Sequence, residues 1–201
     1  MLQNVLYLHG FRSSPLSFKA QYLSNLFATR YPQVKWTCPQ LPPSPLEACE
    51  LMLELTANWT PNTSAVIGSS LGGFYADWIS RRRKFKSILI NPATHPARDL
   101  SRHIGTQTQW QNPDESFYFK AQYLDELLSL YPGASEQVHL DPQNLDPQRS
   151  LLMACTGDEV LDWQEMVQAH SRAVQYIIEG SDHAVSDFEQ HVQVLIDFLE
   201  M

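Results

Sequence analysis

A short apolar run, Ala65-Val66-Ile67, meets Gly68-Ser69-Ser70-Leu71-Gly72 and passes directly into a helical pattern; this junction constrains the fold more than any other stretch. G-x-S-x-G spacing between a strand and a helix is that of a nucleophile elbow, a tight turn that lifts one serine hydroxyl above the edge of a sheet. Ser70 is the serine so placed. Glycine stands two residues to either side because a Cβ there would collide where strand and helix cross at close range.

The rest of the chain supplies the sheet that such a turn needs. Asn4 to Leu8 is a nearly continuous apolar run, as in a parallel strand buried on both faces, and ends at His9-Gly10-Phe11. Phe18 to Thr29 carries Phe18, Tyr22, Leu23 and Leu26 at helical spacing, and Val34 to Cys38 reads as a second strand closed by Pro39. Ser44-Pro45-Leu46-Glu47 is a capping box with proline at the first helical position, opening a helix to about Asn58. Ala65 to Ile67 is the third strand and Leu71 to Arg82 its helix; Ser87 to Ile90 is the fourth strand, stopped by Asn91-Pro92. The alternation breaks over about residues 94–147, where polar turns surround one helical stretch, Phe117 to Tyr131. A structureless loop of that length is foreign to a compact domain, so the segment is expected to form an inserted helical cap over one edge of the sheet. Strand, helix and strand then follow at Leu151 to Cys155, Trp163 to Ser171 and Val174 to Ile178. A second capping box, Ser186-x-x-Glu189, precedes a final stripe of Val192, Leu195, Ile196 and Leu199. Six strands alternating with helices imply right-handed crossovers, hence an α/β fold with a mainly parallel six-stranded sheet and helices on both faces. A chain of 201 residues fits one domain, 1–201, carrying that insertion.

Composition narrows the function by exclusion. A net charge of −8 argues against a nucleic-acid surface, and the one basic cluster, Arg81-Arg82-Arg83-Lys84 with Lys86, falls where the elbow helix ends and cations suit its dipole. No apolar run reaches the ~18 residues of a membrane span. Met1-Leu2-Gln3-Asn4 opens without a basic n-region and a long apolar h-region, so no secretory signal is expected. Cys38, Cys49 and Cys155 are odd in number and far apart, which suits a reducing, cytoplasmic setting. The seven histidines form no H-E-x-x-H pair, so neither a metal nor another cofactor is expected.

In parallel sheets function gathers beyond the carboxyl ends of the strands. Ser70 follows the third strand, Asp158 the fifth, and His183 the sixth, in the order Ser, Asp, His expected of α/β hydrolases. A serine hydroxyl needs an imidazole to take its proton, the role open to His183, and the imidazole needs a carboxylate to fix its tautomer. Asp158, Asp162 and Asp182 all lie near enough in sequence. Asp182 is adjacent to His183, where side chains diverge, and Asp162 reads as a helix cap, which leaves Asp158. The oxyanion needs backbone donors, expected from Leu71 and Phe11.

His9-Gly10-Phe11, Gly68-Ser69-Ser70-Leu71-Gly72-Gly73, Thr156-Gly157-Asp158-Glu159-Val160-Leu161-Asp162 and Gly180-Ser181-Asp182-His183 together resemble the small bacterial esterases of the YqiA type, within the α/β-hydrolase superfamily. The similarity spans essentially the whole chain and implies the minimal α/β-hydrolase fold. It also implies a cytoplasmic carboxylesterase that cleaves acyl esters, or acyl thioesters such as those of CoA, with Ser70, Asp158 and His183 as its catalytic residues. The expected partner is a small acyl ester or thioester. His9 is expected to orient the oxyanion loop or to touch substrate; Trp110 and Phe119 either pack the insertion or line an acyl pocket. The alternatives are a hydrolase-like binding protein without turnover, or a peptidase or C–C hydrolase using the same residues, since fold does not settle substrate. The oligomeric state stays open.

Overall fold

In the computed structural model, which describes residues 1–131 and 147–200, the chain runs β1 (Asn4–Leu8), α1 (Phe18–Arg30), β2 (Lys35–Thr37), α2 (Pro45–Leu55), β3 (Ser64–Ser69), α3 (Leu71–Arg83) and β4 (Lys86–Ile90). It continues through α4 (Pro96–Leu100), β5 (Gly105–Thr108), β6 (Ser116–Phe119), α5 (Gln122–Ser129), β7 (Ser150–Cys155), α6 (Trp163–Ala169), β8 (Val174–Ile178) and α7 (Val192–Glu200). Six strands form one sheet in the order β2-β1-β3-β4-β7-β8, parallel at every pairing. Successive side chains point to opposite faces of a strand, and here both faces are covered. Leu6 and Leu8 of β1 join one core with α2, α3, α5 and α6, while Val5 and Tyr7 join the other with α1 and α7. That double burial is why the central strands are apolar runs rather than alternating ones.

Ser44 caps α2 as its spacing predicts, its hydroxyl accepting from the Glu47 amide at 3.3 Å with Pro45 at the first turn, while the carboxylate that meets Ser44 is that of Glu126, at 2.6 Å, in place of Glu47. The basic cluster does lie at the end of α3. Its arginines are held within the molecule, Arg81 by Asp77 at 2.8 Å, Arg82 over the Trp78 ring at 3.9 Å, and Arg83 by the Leu53 carbonyl at 2.9 Å. Among the described residues no helix is long and apolar enough to cross a membrane.

Two sequence expectations need correction. The helix expected over Phe117 to Tyr131 begins only at Gln122; ahead of it β5 and β6 pair as an antiparallel hairpin. Burial along Ser116-Phe117-Tyr118-Phe119 alternates, deepest at Phe119, which is a period of two rather than 3.6. The later part of the expected insertion, residues 132–146, lies outside the described residues. The second capping box does not open α7 either. Ser186 instead bonds the Asp182 carboxylate through both its amide, at 2.8 Å, and its hydroxyl, at 2.6 Å, and α7 begins at Val192 after a 3-10 turn, Phe188–Gln190.

Candidate active site

Ser70 caps α3 with φ 58° and ψ −122°, a conformation that a residue with a Cβ adopts only when its surroundings hold it there. They do. Its amide donates to the Ile90 carbonyl at 3.0 Å, and its own carbonyl accepts from Gly73 at 2.8 Å and Ala93 at 3.0 Å. A Cβ on Gly68 would lie 2.0 Å from the Gly72 carbonyl oxygen, and one on Gly72 would lie 2.0 Å from that of Leu8. No side chain fits at either position without opening the strand–helix crossing.

The loops after β7 and β8 converge on this turn. The side chain of Asp158 is 0% exposed, and its Oδ1 accepts from the amides of Val160 and Leu161, both at 2.8 Å. Its Oδ2 lies 2.7 Å from His183 Nδ1, and His183 Nε2 lies 3.0 Å from Ser70 Oγ. A carboxylate can only accept, so Nδ1 carries the proton and Nε2 is left to accept from the serine hydroxyl. Asp162 caps α6, accepting from the Gln164 amide at 2.8 Å. Asp182 is turned toward Ser186, whose hydroxyl holds its carboxyl below the usual carboxylate range. Of the three aspartates, the structure brings Asp158 to the imidazole.

Asn91 is a part of this arrangement that the sequence reading took only for a strand stop. Fully buried at the end of β4 with φ 40°, it donates through Nδ2 to the carbonyls of Asp182 and His183, each at 3.1 Å. Its Oδ1 accepts from the Cys155 amide at 2.8 Å. One side chain thereby ties the histidine loop to the end of β7. A signal was present, since asparagine is among the few non-glycine residues that enter the left-handed region readily.

The loop after β1 passes against Ser70 closely enough that a Cβ on Gly10 would lie 3.2 Å from the serine Cβ. His9 braces that loop from beneath. Its Nε2 accepts from the Leu41 amide at 3.0 Å, so Nδ1 donates to the Gly10 carbonyl at 2.9 Å, and burial pushes its pKa below the ordinary imidazole value. The ring is therefore neutral, in one tautomer. Phe11 follows, packed edge-on against Phe117 and Phe119. Leu71 is the first helical residue of α3, so its amide has no intrahelical carbonyl to bond.

A cleft of about 270 Å³ opens here, lined by His9, Phe11, Arg12, Gln40, Leu41, Leu71, Tyr75, Gln109 and Phe117 among others. Trp110, 64% exposed, lies outside that lining with its ring 3.9 Å from the Arg12 guanidinium, and Phe119, 1% exposed, is core beneath Phe11. Phe117 takes the lining position instead. A larger cavity of about 330 Å³ lies at the amino ends of the strands, beside Ser64 and Lys86, whereas the smaller one adjoins Ser70 through Gly10 and Leu71 on its wall. Among the described residues no three His, Cys, Asp or Glu side chains gather as a metal site would require.

Sheet order, elbow and converging loops define the α/β-hydrolase fold, and known structures agree on it. The chain is similar to a candidate hydrolase from Agrobacterium vitis S4 (TM-score 0.70, 15% identity, 98% of this chain and 88% of that one). It is also similar to mouse alpha/beta hydrolase domain-containing protein 10 (0.67, 15%, 98% and 90%) and to Est1E from Butyrivibrio proteoclasticus with ferulic acid bound (0.67, 11%, 98% and 86%). At such identities the likeness speaks to fold alone. Residues 4–200 match the uncharacterised protein family UPF0227, and the chain belongs to that family, the YqiA family.

Proposed function

We propose that this protein is a serine hydrolase that cleaves carboxylic esters, and acyl thioesters by the same steps, through an acyl-enzyme. The observation that carries the reading is the unbroken run of hydrogen bonds from Asp158 through His183 to a strained serine, 2.7 and 3.0 Å long. Ser70 Oγ attacks the acyl carbon while His183 Nε2 takes its proton. Negative charge then develops on the former carbonyl oxygen, where the amides of Leu71 and Phe11 are the donors, each worth roughly 2.7–4 kcal/mol of barrier. Collapse expels the alcohol or thiol, protonated by the imidazolium; water, deprotonated by His183, releases the acid and restores Ser70. Asp158 stays ionised throughout and stabilises the imidazolium. Est1E, similar in fold, holds ferulic acid, a carboxylic acid of the kind such a reaction releases.

The proposal includes one domain whose insertion at about residues 94–147 helps shape the acyl pocket, as Phe117 on the cleft wall suggests. It also includes a cytoplasmic setting, in keeping with three free cysteines, two of them buried. A fluorophosphonate probe is expected to label the wild type at Ser70, and Ser70→Ala to lose labelling together with about 10⁶ in kcat on 4-nitrophenyl esters. Labelling at Ser69 or Ser181, or none with esters left intact, overturns the reading and favours a binding protein without turnover.

A further inference from the structure

Cleaving a neutral ester calls for no cation beside the cleft, yet one charged side chain lines it, that of Arg12. Its guanidinium is held rather than free to swing. Nε donates to the Thr108 carbonyl at 2.7 Å, Nη2 to the Thr108 hydroxyl at 3.0 Å, and the plane lies over Trp110, whose amide donates back to the Arg12 carbonyl at 2.8 Å. The backbone beneath it is left-handed, φ 60°. Among the described residues no carboxylate comes within ion-pair distance of Arg12. Two of its five N–H groups are thus committed, and the fixed fork lines a cleft whose described residues include no carboxylate.

A second cation, Arg102, lies close enough to act on His103 together with Arg12. His103 packs on Phe11 with ring centroids 5.5 Å apart, and burial, then the charges of Arg102 and Arg12, push its pKa below the ordinary imidazole value. A cation preordered by the hairpin loses little freedom when it takes a ligand, which is what makes such a group selective.

We infer that Arg12 is a specificity residue that binds an anionic group, carboxylate or phosphate, on a short ester or thioester whose acyl carbon sits at Ser70. Arg12 follows Phe11 in the loop that passes against Ser70 and lines the same cleft as Phe11 and Leu71, so a ligand spanning that cleft reaches from the serine toward the guanidinium. The substrate class rests on the reading of Ser70 as nucleophile.

Two matched substrate pairs test it: 4-nitrophenyl hemiglutarate against 4-nitrophenyl valerate, with the anion a carboxylate on the acyl side, and butyryl-CoA against S-butyryl-N-acetylcysteamine, with the anion phosphate on the leaving group. The wild type is expected to favour the charged member of at least one pair in kcat/KM, and the responding pair tells which anion is read. Arg12→Gln is expected to shrink that ratio by about ten- to a hundredfold, the equivalent of one charge-assisted hydrogen bond, with Arg12→Lys between. Added salt lowers the ratio in the wild type and leaves it flat in Arg12→Gln. A merely structural role for Arg12 lowers both members of a pair together and leaves the ratio unmoved; equal ratios within twofold in wild type and Arg12→Gln, in both pairs, overturn the inference. Titrating the two 4-nitrophenyl esters and the two thioesters into Ser70→Ala, with and without Arg12→Gln, reads the same preference without turnover. A binding preference lost with Arg12 but no acylation of Ser70 sinks only the catalytic reading, whereas acylation with no preference sinks only this one.

Discussion

His183 and His191 each meet an aspartate, at 2.7 Å to Asp158 and 3.0 Å to Asp187, and both sit in the stretch that follows β8. Their surroundings differ at every other contact. The side chain of Asp158 is 0% exposed with two amides on its second oxygen, whereas that of Asp187 is 34% exposed and accepts the Ser181 hydroxyl. The far nitrogen of His183 faces the hydroxyl of a strained serine; that of His191 accepts from the Tyr176 hydroxyl at 3.0 Å. The second cluster closes on itself. Ser181, Asp187, His191 and Tyr176 bond one another and fasten the loop to β8, and the far nitrogen of the imidazole is taken up by a phenol of the same cluster. A histidine–aspartate pair is therefore no signature of catalysis by itself; what decides is the group at the imidazole's other nitrogen and the donors around it.

Exchanging the carboxylates breaks the comparison most directly. Asp158→Asn is expected to fold and to lower kcat by up to ~10⁴ at neutral pH, because an amide there can hold the imidazole in the wrong tautomer. Asp162→Asn and Asp182→Asn, which alter a helix cap and the bond to Ser186, are expected to stay within about tenfold. Steady-state kinetics on one ester decides it. Near-normal turnover in Asp158→Asn, with collapse in one of the others, would assign the wrong acid.

A support that His183 has and His191 lacks sharpens the contrast. Asn91 bonds the carbonyls of Asp182 and His183, so its loss leaves buried polar groups unpaired, at roughly 1–3 kcal/mol each. It also frees the imidazole to drift, and displacement of about 1 Å costs on the order of 10² in rate. Asn91→Ala is expected to lower kcat about that much with KM nearly unchanged, and to lower Tm. Asn91→Gly suits φ 40° but lacks the amide, so it separates the two roles: kcat restored in the glycine variant would mean that Asn91 serves the backbone alone.

What the sequence made legible was whatever the main chain dictates. The glycines around Ser70, the apolar runs of β1 and β3, and the strand ends bearing Asp158 and His183 all follow from strand–helix geometry, which leaves a mark in local spacing. Contacts between segments distant in sequence leave no such mark. Gly105-Thr106-Gln107-Thr108 has no apolar alternation and forms a strand because β6 pairs with it, while Phe117 and Phe119 find Phe11 across the fold. Arg12 was invisible for the same reason, since its partner Thr108 lies far along the chain. Ser186-x-x-Glu189 matched a helix start, and the Asp182 carboxylate outcompeted that use by capturing both Ser186 donors.

The smallest effect belongs to the self-contained cluster. The Ser181 hydroxyl, and after it His191, hold the Asp187 carboxyl below its usual range. Its folded value lies under its unfolded one, so the stabilisation is complete above the ordinary carboxylate range and disappears as pH falls through the folded value. Asp187→Asn is accordingly expected to differ most from the wild type near neutral pH, with the gap beginning to close only as pH falls toward the ordinary carboxylate value and still narrowing below it. With a third of that side chain in solvent, the gap at neutral pH is expected not to exceed about 1 kcal/mol, or ~2–4 °C in Tm for a chain of this size. Activity is expected to change only a few-fold, because no atom of this cluster bonds Ser70 or the Asp158 carboxylate. Thermal melts from pH 7 to pH 3 beside kcat at pH 7 make the measurement. A gap that widens toward acid would contradict the pairing of Asp187, and a hundredfold loss of kcat without loss of Tm would mean that the two histidine clusters are coupled through the loop they share.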